Sequence, residues 1–306
     1  MLGGLGRFAR LLQCNDMGNV HDLVNLAKWA NRHPIASKHK VRTLSRFLRW
    51  QFSSRLIGQP IVLPYVDETR LIISKQMRGA AVCYYFGLPE VEEAGLALHF
   101  LRQGELLGDI GANIGGLTVA AAGVAGARVL AMEPVPSTYR ALCDNVAVND
   151  LGKLVKTVAA GAGENAGFLR FTTDLGGSDR VATTGGGQRQ ALDEVFSEAP
   201  RMLVLDVEGF EPAVVKGASR LLSEPRLQIV IIETLGMAAD YGLDDRMMHQ
   251  QMLGYGFKTV TYDPFRRAVR TTEGMNAYNT IYVRDPAEVE QRVKTAKQFR
   301  VVDQLI

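Results

Sequence analysis

Between positions 105 and 283, short apolar runs alternate with segments whose apolar residues recur at helical spacing. The runs at 106–110, 129–132, 154–159, 203–207 and 229–233 predict strands. The segments 116–125, 137–148, 212–222 and 244–253 predict the helices that follow them. Two further runs, 258–262 and 280–283, have no long helix between them, so they predict an antiparallel pair that closes the sheet. Residues 167–172 read as a further edge strand. A terminal helix is expected over 286–297, with Glu288/Arg292 and Glu290/Lys294 spaced as i,i+4 pairs. Repeated βα units of this kind predict an α/β fold with a doubly wound, mostly parallel sheet.

The chain before position 105 has a different pattern. Residues 60–104 read as a lead-in: a hairpin of 61–63 and 71–73 around Asp67-Glu68, then a helix opened by Pro89 and stopped by Gly104. Glu90, Glu92 and Glu93 fall in its first turn, where the helix dipole favours them. Residues 1–59 read as a helical N-terminal extension, with helices over 21–31 and 37–52. In the second, Val41, Leu44, Phe47 and Leu48 form an apolar stripe expected to pack on the main domain.

Charge sharpens that division. The net charge is +3, yet residues 23–66 hold no acidic residue and eight basic ones: Lys28, Arg32, Lys38, Lys40, Arg42, Arg46, Arg49 and Arg55. The rest of the chain has 27 basic against 32 acidic residues, a balance of −5. The ordinary reading is a solvated basic face. The sharper one is a peripheral membrane or anionic-substrate contact through residues 28–55. No nucleic-acid motif accompanies the charge, so nucleic acid is not an expected partner. Cys14, Cys83 and Cys143 form no CxxC pair, which argues against a disulfide framework or a zinc site. No signal peptide or membrane span is visible, and a cytoplasmic location is expected.

The stretch 106–134, LLGDIGANIGGLTVAAAGVAGARVLAMEP, carries the first candidate chemistry. A strand, a glycine turn, a helix and a second strand make a nucleotide-binding unit. Gly111, Ala112, Asn113 and Gly115 would wrap a cofactor at the helix N-terminus. Glu133, with Pro134 after it, closes the second strand and suits two ribose hydroxyls. Asn113 stands where the dinucleotide fingerprint has its middle glycine, and Asp109, two residues before Gly111, suits an ammonium group. S-adenosylmethionine is therefore the expected cofactor, with NAD as the alternative. The antiparallel closing pair also fits a seven-stranded class I methyltransferase sheet, Rossmann-like, better than a dehydrogenase sheet.

Ligands of open α/β sheets bind at the carboxyl ends of the strands. Carboxylates recur there: Asp206 and Glu208, expected on the same side of an extended segment, and Glu233 after Ile229-Val230-Ile231-Ile232. A hydroxyl acceptor needs a base, and Glu208 is the first candidate, then Asp206. Glu233 and His249 are further acceptor-site candidates, as are Asp179 and Arg180 in the glycine-rich loop 176–187. A divalent cation on Asp206, Glu208 and Glu233 is a competing role for those three; no metal site is assigned. The Asn/Asp-Pro-Pro-Tyr/Phe motif of many amino-group methyltransferases is absent, so an oxygen acceptor fits best. An NAD(P)-dependent oxidoreductase and a non-catalytic membrane- or partner-binding module are the alternatives.

The segments LLGDIGANIGG, LAMEP, LVLDVEGFEPAVVKGA, IVIIE and NTIYVRD together resemble the FkbM-type methyltransferases. The resemblance covers roughly 106–284, including the Asp206–Glu211 string, Lys216-Gly217-Ala218, and Ala191–Val195 as a short Leu-Asp element. It implies a class I fold and S-adenosylmethionine-dependent O-methylation of a sugar or glycan hydroxyl or a polyketide-type metabolite. It also implies that Asp109, Gly111, Asn113, Gly115 and Glu133 bind cofactor, and that Asp206 and Glu208 border the methyl group. The domain division expected is 1–59 extension, 60–104 lead-in and 105–306 catalytic domain.

Overall fold

The central strand β3 (Leu106–Ile110) is buried along its whole length, as a continuous apolar run in a sheet covered on both faces should be. A computed structural model describes residues 28, 30–74, 77, 80–169 and 187–306. Helix α1 (Lys40–Ile57) ends at Gly58, whose φ of 64° places it in the left-handed cap position. Next come the hairpin β1 (Ile61–Pro64) and β2 (Arg70–Ile73), helix α2 (Ala80–Phe86) and helix α3 (Val91–Phe100). After β3 the chain alternates: α4 (Gly116–Ala125), β4 (Arg128–Met132), α5 (Pro136–Val148) and β5 (Val155–Val158). Short strands β6 (Ala160–Ala162), β7 (Gly167–Leu169) and β8 (Gly187–Gln190) follow, then α6 (Leu192–Val195), β9 (Met202–Leu205), α7 (Glu211–Lys216), α8 (Ser219–Ser223) and β10 (Ile229–Glu233). The chain closes with α9 (Asp245–Gly254), β11 (Lys258–Asp263), β12 (Ala268–Thr271), β13 (Asn279–Val283), α10 (Pro286–Lys294), β14 (Arg300–Val301) and β15 (Gln304–Leu305).

The main sheet has the order β12-β11-β13-β10-β9-β3-β4-β5. Strands β5, β4, β3, β9 and β10 are parallel, and β13 runs antiparallel between β10 and β11. This is the doubly wound sheet with an antiparallel closing pair that the sequence predicts. It has eight strands rather than seven, because β12 pairs antiparallel with β11 across a turn where Arg267 has φ 52°. The edge strand expected at 167–172 begins as β7, but it belongs to a separate sheet of order β6-β8-β7; residues 170–172 lie outside the described residues. The helix expected over 212–222 breaks into α7 and α8 at Gly217, where an added Cβ would stand 2.1 Å from the Gly163 carbonyl oxygen. Helix α2 and strand β12 have no counterpart in the sequence reading.

In α10, Lys294 pairs with Glu290 at 2.9 Å as expected. Arg292 instead reaches Glu105 at 2.5 Å, while Glu288 meets Arg201. The N-terminal extension is tied to the lead-in by a long-range contact. His33 is fully buried; its Nδ1 accepts from the Ile35 and Ala36 amides, so its Nε2–H donates to the Leu88 carbonyl at 3.0 Å. Burial pushes this imidazole down to about 4, and it stays neutral.

Helix α1 corrects the sequence reading. It buries Thr43, Phe47, Trp50 and Ser54, with Phe47 edge-on to Tyr85 at 5.3 Å. Val41, Leu44 and Leu48, expected to pack on the domain, are exposed. No described helix is long and apolar enough to cross a membrane.

Candidate active site

At the carboxyl end of β3 the chain turns sharply at Gly111, with φ 86°. The Gly111 and Ala112 amides both donate to the Met132 carbonyl, strapping the turn to β4. An added Cβ on Gly111 would sit 1.7 Å from the Asp206 carbonyl oxygen. The glycine is therefore demanded by the neighbouring strand end, not by a ligand alone. Gly115 has φ 87° and packs on Leu142, and α4 starts directly after it with no side-chain cap. Its first N–H groups face the turn, the arrangement that suits an anionic or polar ligand.

Three expected cofactor residues converge here. The Asn113 amide donates to Glu133 Oε2 at 3.0 Å, and the Val135 amide donates to Glu133 Oε1 at 2.9 Å. These bonds orient a buried carboxylate at the end of β4, and are compatible with a ribose, since carboxylate oxygens accept more than one bond. Asn113 itself takes the left-handed conformation, φ 52°, which asparagine tolerates. Its Oδ1 accepts from the Ile114 amide. Asp109 is 4% exposed. Burial pushes its carboxyl up to about 6; the Thr118 hydroxyl, donating at 2.5 Å, pulls it back, and the Asp206 charge raises it further. Thr118 was not singled out by sequence. Pro134 follows Glu133 directly after β4.

The segment after β9 differs from expectation. It is not extended: Glu208 has φ 56° and Gly209 φ 101°, forming a turn. Asp206 and Glu208 therefore do not share a side by strand alternation. The turn is organised by Glu211, whose Oε1 accepts from the Val207 amide at 2.9 Å and the Gly209 amide at 3.2 Å. Glu211 is 2% exposed, and burial pushes it up to about 8. A Cβ on Gly209 would meet Met237 at 2.8 Å, so this turn lies directly against the segment after β10.

A second group of carboxylates comes from the lead-in. A recess of about 650 Å³ is lined by Glu90, Glu92 and Glu93 from the start of α3. Tyr262, Phe265, Tyr278 and Asn279 form much of the rest. Asn279 Nδ2 donates to Glu93 Oε1 at 3.1 Å, and Asn279 is the register partner of Glu233. Glu92 Oε1 accepts from the Tyr262 amide at 2.7 Å. Glu90 is exposed to solvent in the recess, although many protein atoms stand around it. Burial pushes it up to about 8, with Glu93, then Asp206, adding to the rise; a bond from Asn279 opposes it. Burial also raises Glu93, and lifts Glu92 to about 7. The recess thus adjoins the Asp109/Asp206 side of the glycine turn electrostatically.

Beside the N-terminus of α4, the Tyr65 hydroxyl and Cys83 thiol are bonded to each other and approach Gly116. Burial pushes the thiol up to about 12, which favours its protonated form. His249 is placed elsewhere: its Nδ1 lies 2.9 Å from the Tyr282 hydroxyl. Tyr282 is registered opposite Val230, near the start of β10, while the acidic strand end is at Glu233. Asp179 and Arg180 lie outside the described residues. Among the described residues no group of three His, Cys, Asp or Glu side chains converges as a metal site, so Asp206, Glu208 and Glu233 do not form a ready cation cage.

Residues 109–259 match the model of the methyltransferase FkbM domain. No curated protein matches the chain. Among solved structures, one similar chain is the methyltransferase FkbM from Methylobacillus flagellatus KT, at 19% identity and TM-score 0.42; the match covers 69% of this chain and 55% of that one. This chain thus spans little more than half the length of that protein. Others are a putative rRNA methylase from Clostridium thermocellum (10% identity, TM-score 0.41, 62% and 92% covered) and Aeropyrum pernix fibrillarin with bound S-adenosyl-L-methionine (13% identity, TM-score 0.36, 62% and 73% covered).

Proposed function

We propose that this chain, whose residues 109–259 match the methyltransferase FkbM domain model, moves a methyl group from S-adenosylmethionine to a hydroxyl of a sugar, glycan or polyketide-type metabolite. The observation that carries the proposal is the pair of carboxylates on the glycine turn. Glu133 is fixed by two backbone amides for a ribose, and Asp109 is buried with Thr118 where an ammonium would sit. When bound, the cofactor supplies an electrophilic methyl group on a sulfonium, together with its own leaving group.

The protein's residues then have three tasks. The turn orients the donor, and the recess orients the acceptor; alignment of this kind supplies about 7–11 kcal/mol of a barrier. A carboxylate takes the hydroxyl proton, contributing a further factor of about 10²–10⁴. Glu208 remains the first assignment for that base, then Asp206. Glu90 and Glu93 join them from the recess side as groups that hydrogen-bond a polyhydroxylated acceptor, a match supported by the upward shift that burial gives both carboxyls.

Two measurements test the reading. Melting with S-adenosylmethionine, its demethylated product S-adenosylhomocysteine, or NAD should give a rise of a few degrees with the first two only, as ligand at about 100 times its Kd adds about 2.7 kcal/mol. A rise with NAD alone overturns the cofactor. Incubation with methyl-¹³C-labelled cofactor and a panel of hydroxylated glycans and metabolites should give a methoxy carbon resonance. An N-methyl or C-methyl resonance instead overturns the oxygen acceptor.

A further inference from the structure

Helix α1 carries its apolar stripe on the wrong side for a core helix. At about 100° per residue, Val41, Leu44, Leu48, Phe52 and Leu56 share one arc of about 120°. Thr43, Phe47, Trp50 and Ser54, which the domain buries, occupy the opposite arc. The stripe is open to solvent: Val41 is 85% exposed, Phe52 69% and Leu56 68%. A contiguous outward row of large apolar side chains marks an interaction site rather than scattered surface apolarity.

The charges around the stripe are of one sign. Arg42 and Arg49 flank it on one edge, Lys40 stands on the other, and Arg55 falls within it. Arg42 is paired with Asp303, and Arg46 turns inward over the Tyr84 ring. Among the described residues no ion pair engages Lys40, Arg49 or Arg55. All three are exposed, and residues 23–66 contain no carboxylate to neutralise them. An apolar ridge with cationic edges is complementary to a surface that is apolar beneath and anionic above. Arginine and lysine stems also let their heads reach the phosphate level while the apolar side chains insert.

We propose that α1 is a lipid-docking helix that lies in the surface of an anionic phospholipid bilayer. The helix starts at the rim of the acidic recess: Pro34 lines the recess, and Lys38, just before α1, stands 4.5 Å over the Phe265 ring of its wall. Docking would therefore hold the recess at the headgroup level. The proposal does not rest on the methyl-transfer reading and can fail without it.

The test is sedimentation of the full chain with vesicles of phosphatidylcholine alone or mixed with phosphatidylglycerol. The wild type should partition onto the anionic vesicles at least about tenfold better than onto neutral ones. Leu48→Glu with Phe52→Glu should abolish binding while leaving the melting temperature unchanged, since both side chains are exposed. Arg49→Glu with Arg55→Glu should weaken it by about fivefold or more per residue. No binding by the wild type, equal binding to both vesicle types, or undiminished binding by the Leu48/Phe52 variant overturns the proposal. A dimer that the Leu48/Phe52 variant splits, seen by light scattering without vesicle binding, assigns the stripe to a second copy instead. A lowered melting temperature of that variant, again without vesicle binding, assigns it to another segment of this chain. Either result also overturns lipid docking.

Discussion

The glycine turn and the acidic recess meet at the same strand ends, but their carboxylates are held by different means. On the turn, Glu133 is clamped by amides within two residues of itself and from the adjoining loop. Its orientation follows from the β3–α4–β4 unit alone. In the recess, Glu90 and Glu93 come from the start of α3 and meet Asn279, 186 residues beyond Glu93. Their place depends on how the lead-in docks; burial raises both, and neighbouring carboxylates add to the rise at Glu90. A cofactor common to many enzymes can be bound by a local, preorganised motif. Under the proposed function the acceptor would be recognised by side chains gathered from distant segments, at an electrostatic cost.

The largest expected effect separates the two parts of the turn's own design. Gly111→Ala places a Cβ against the Asp206 carbonyl in a left-handed conformation, and should cost about 4 kcal/mol or more in chemical denaturation. Gly104→Ala, with φ 77° but open space around it, should cost only about 1–2 kcal/mol. Similar losses would mean that the close approach of β9 does not decide the residue at 111.

The docking of the N-terminal extension on the lead-in has its own signature in pH. His33 is held neutral at about 4 against 6.5 when unfolded. The unfolded chain therefore takes up the proton first. Stability is fully present above pH 6.5 and falls as pH drops towards 4, by a total on the order of 3 kcal/mol. Denaturation from pH 7 to pH 4 should show that loss in the wild type and a shallower slope in His33→Leu. Equal slopes would remove His33 as the anchor of the segment before the recess.

Next in size is catalysis. Glu208→Gln should lower turnover by about 10²-fold or more, with S-adenosylhomocysteine affinity nearly unchanged. Unchanged turnover removes Glu208 as the base and transfers the role to Asp206 or the recess carboxylates. The smallest effect is on stability without ligand, because Glu90 is exposed and solvent screens most of its shift. Glu90 sits at about 8 against 4.5 when unfolded, so the wild type loses stability as pH rises from 4.5 through 8. Glu90→Gln lacks that loss and should melt higher than the wild type at pH 9, with a smaller difference at pH 5. A variant less stable at both pH values would mean that Glu90 supports the fold.

What could be read from sequence follows the same division. Strand β3, helix α4 and the Asp109-to-Glu133 geometry were legible because glycine turns, strand ends and their carboxylates are encoded within one short stretch. The Asp206–Glu211 segment was legible as the end of a strand but not in shape: Glu211 accepts from the Val207 and Gly209 amides and folds an apparently extended string into a turn. The recess escaped because periodicity places Glu90 and Glu93 at a helix start, where the dipole alone explains them. Helix α1 misled because it carries apolar residues on both faces. Spacing finds each face, but only the Phe47 and Trp50 contacts decide which one turns inward.

The division of labour between turn and recess is tested most directly by calorimetric titration of S-adenosylhomocysteine into the wild type, Glu133→Gln and Glu90→Gln at one pH. Loss of a charged hydrogen-bonding partner should weaken binding to Glu133→Gln by about 10- to 100-fold, and leave Glu90→Gln within about threefold of the wild type. The reverse pattern, with Glu90→Gln crippled and Glu133→Gln unaffected, would place the cofactor in the recess and contradict the account.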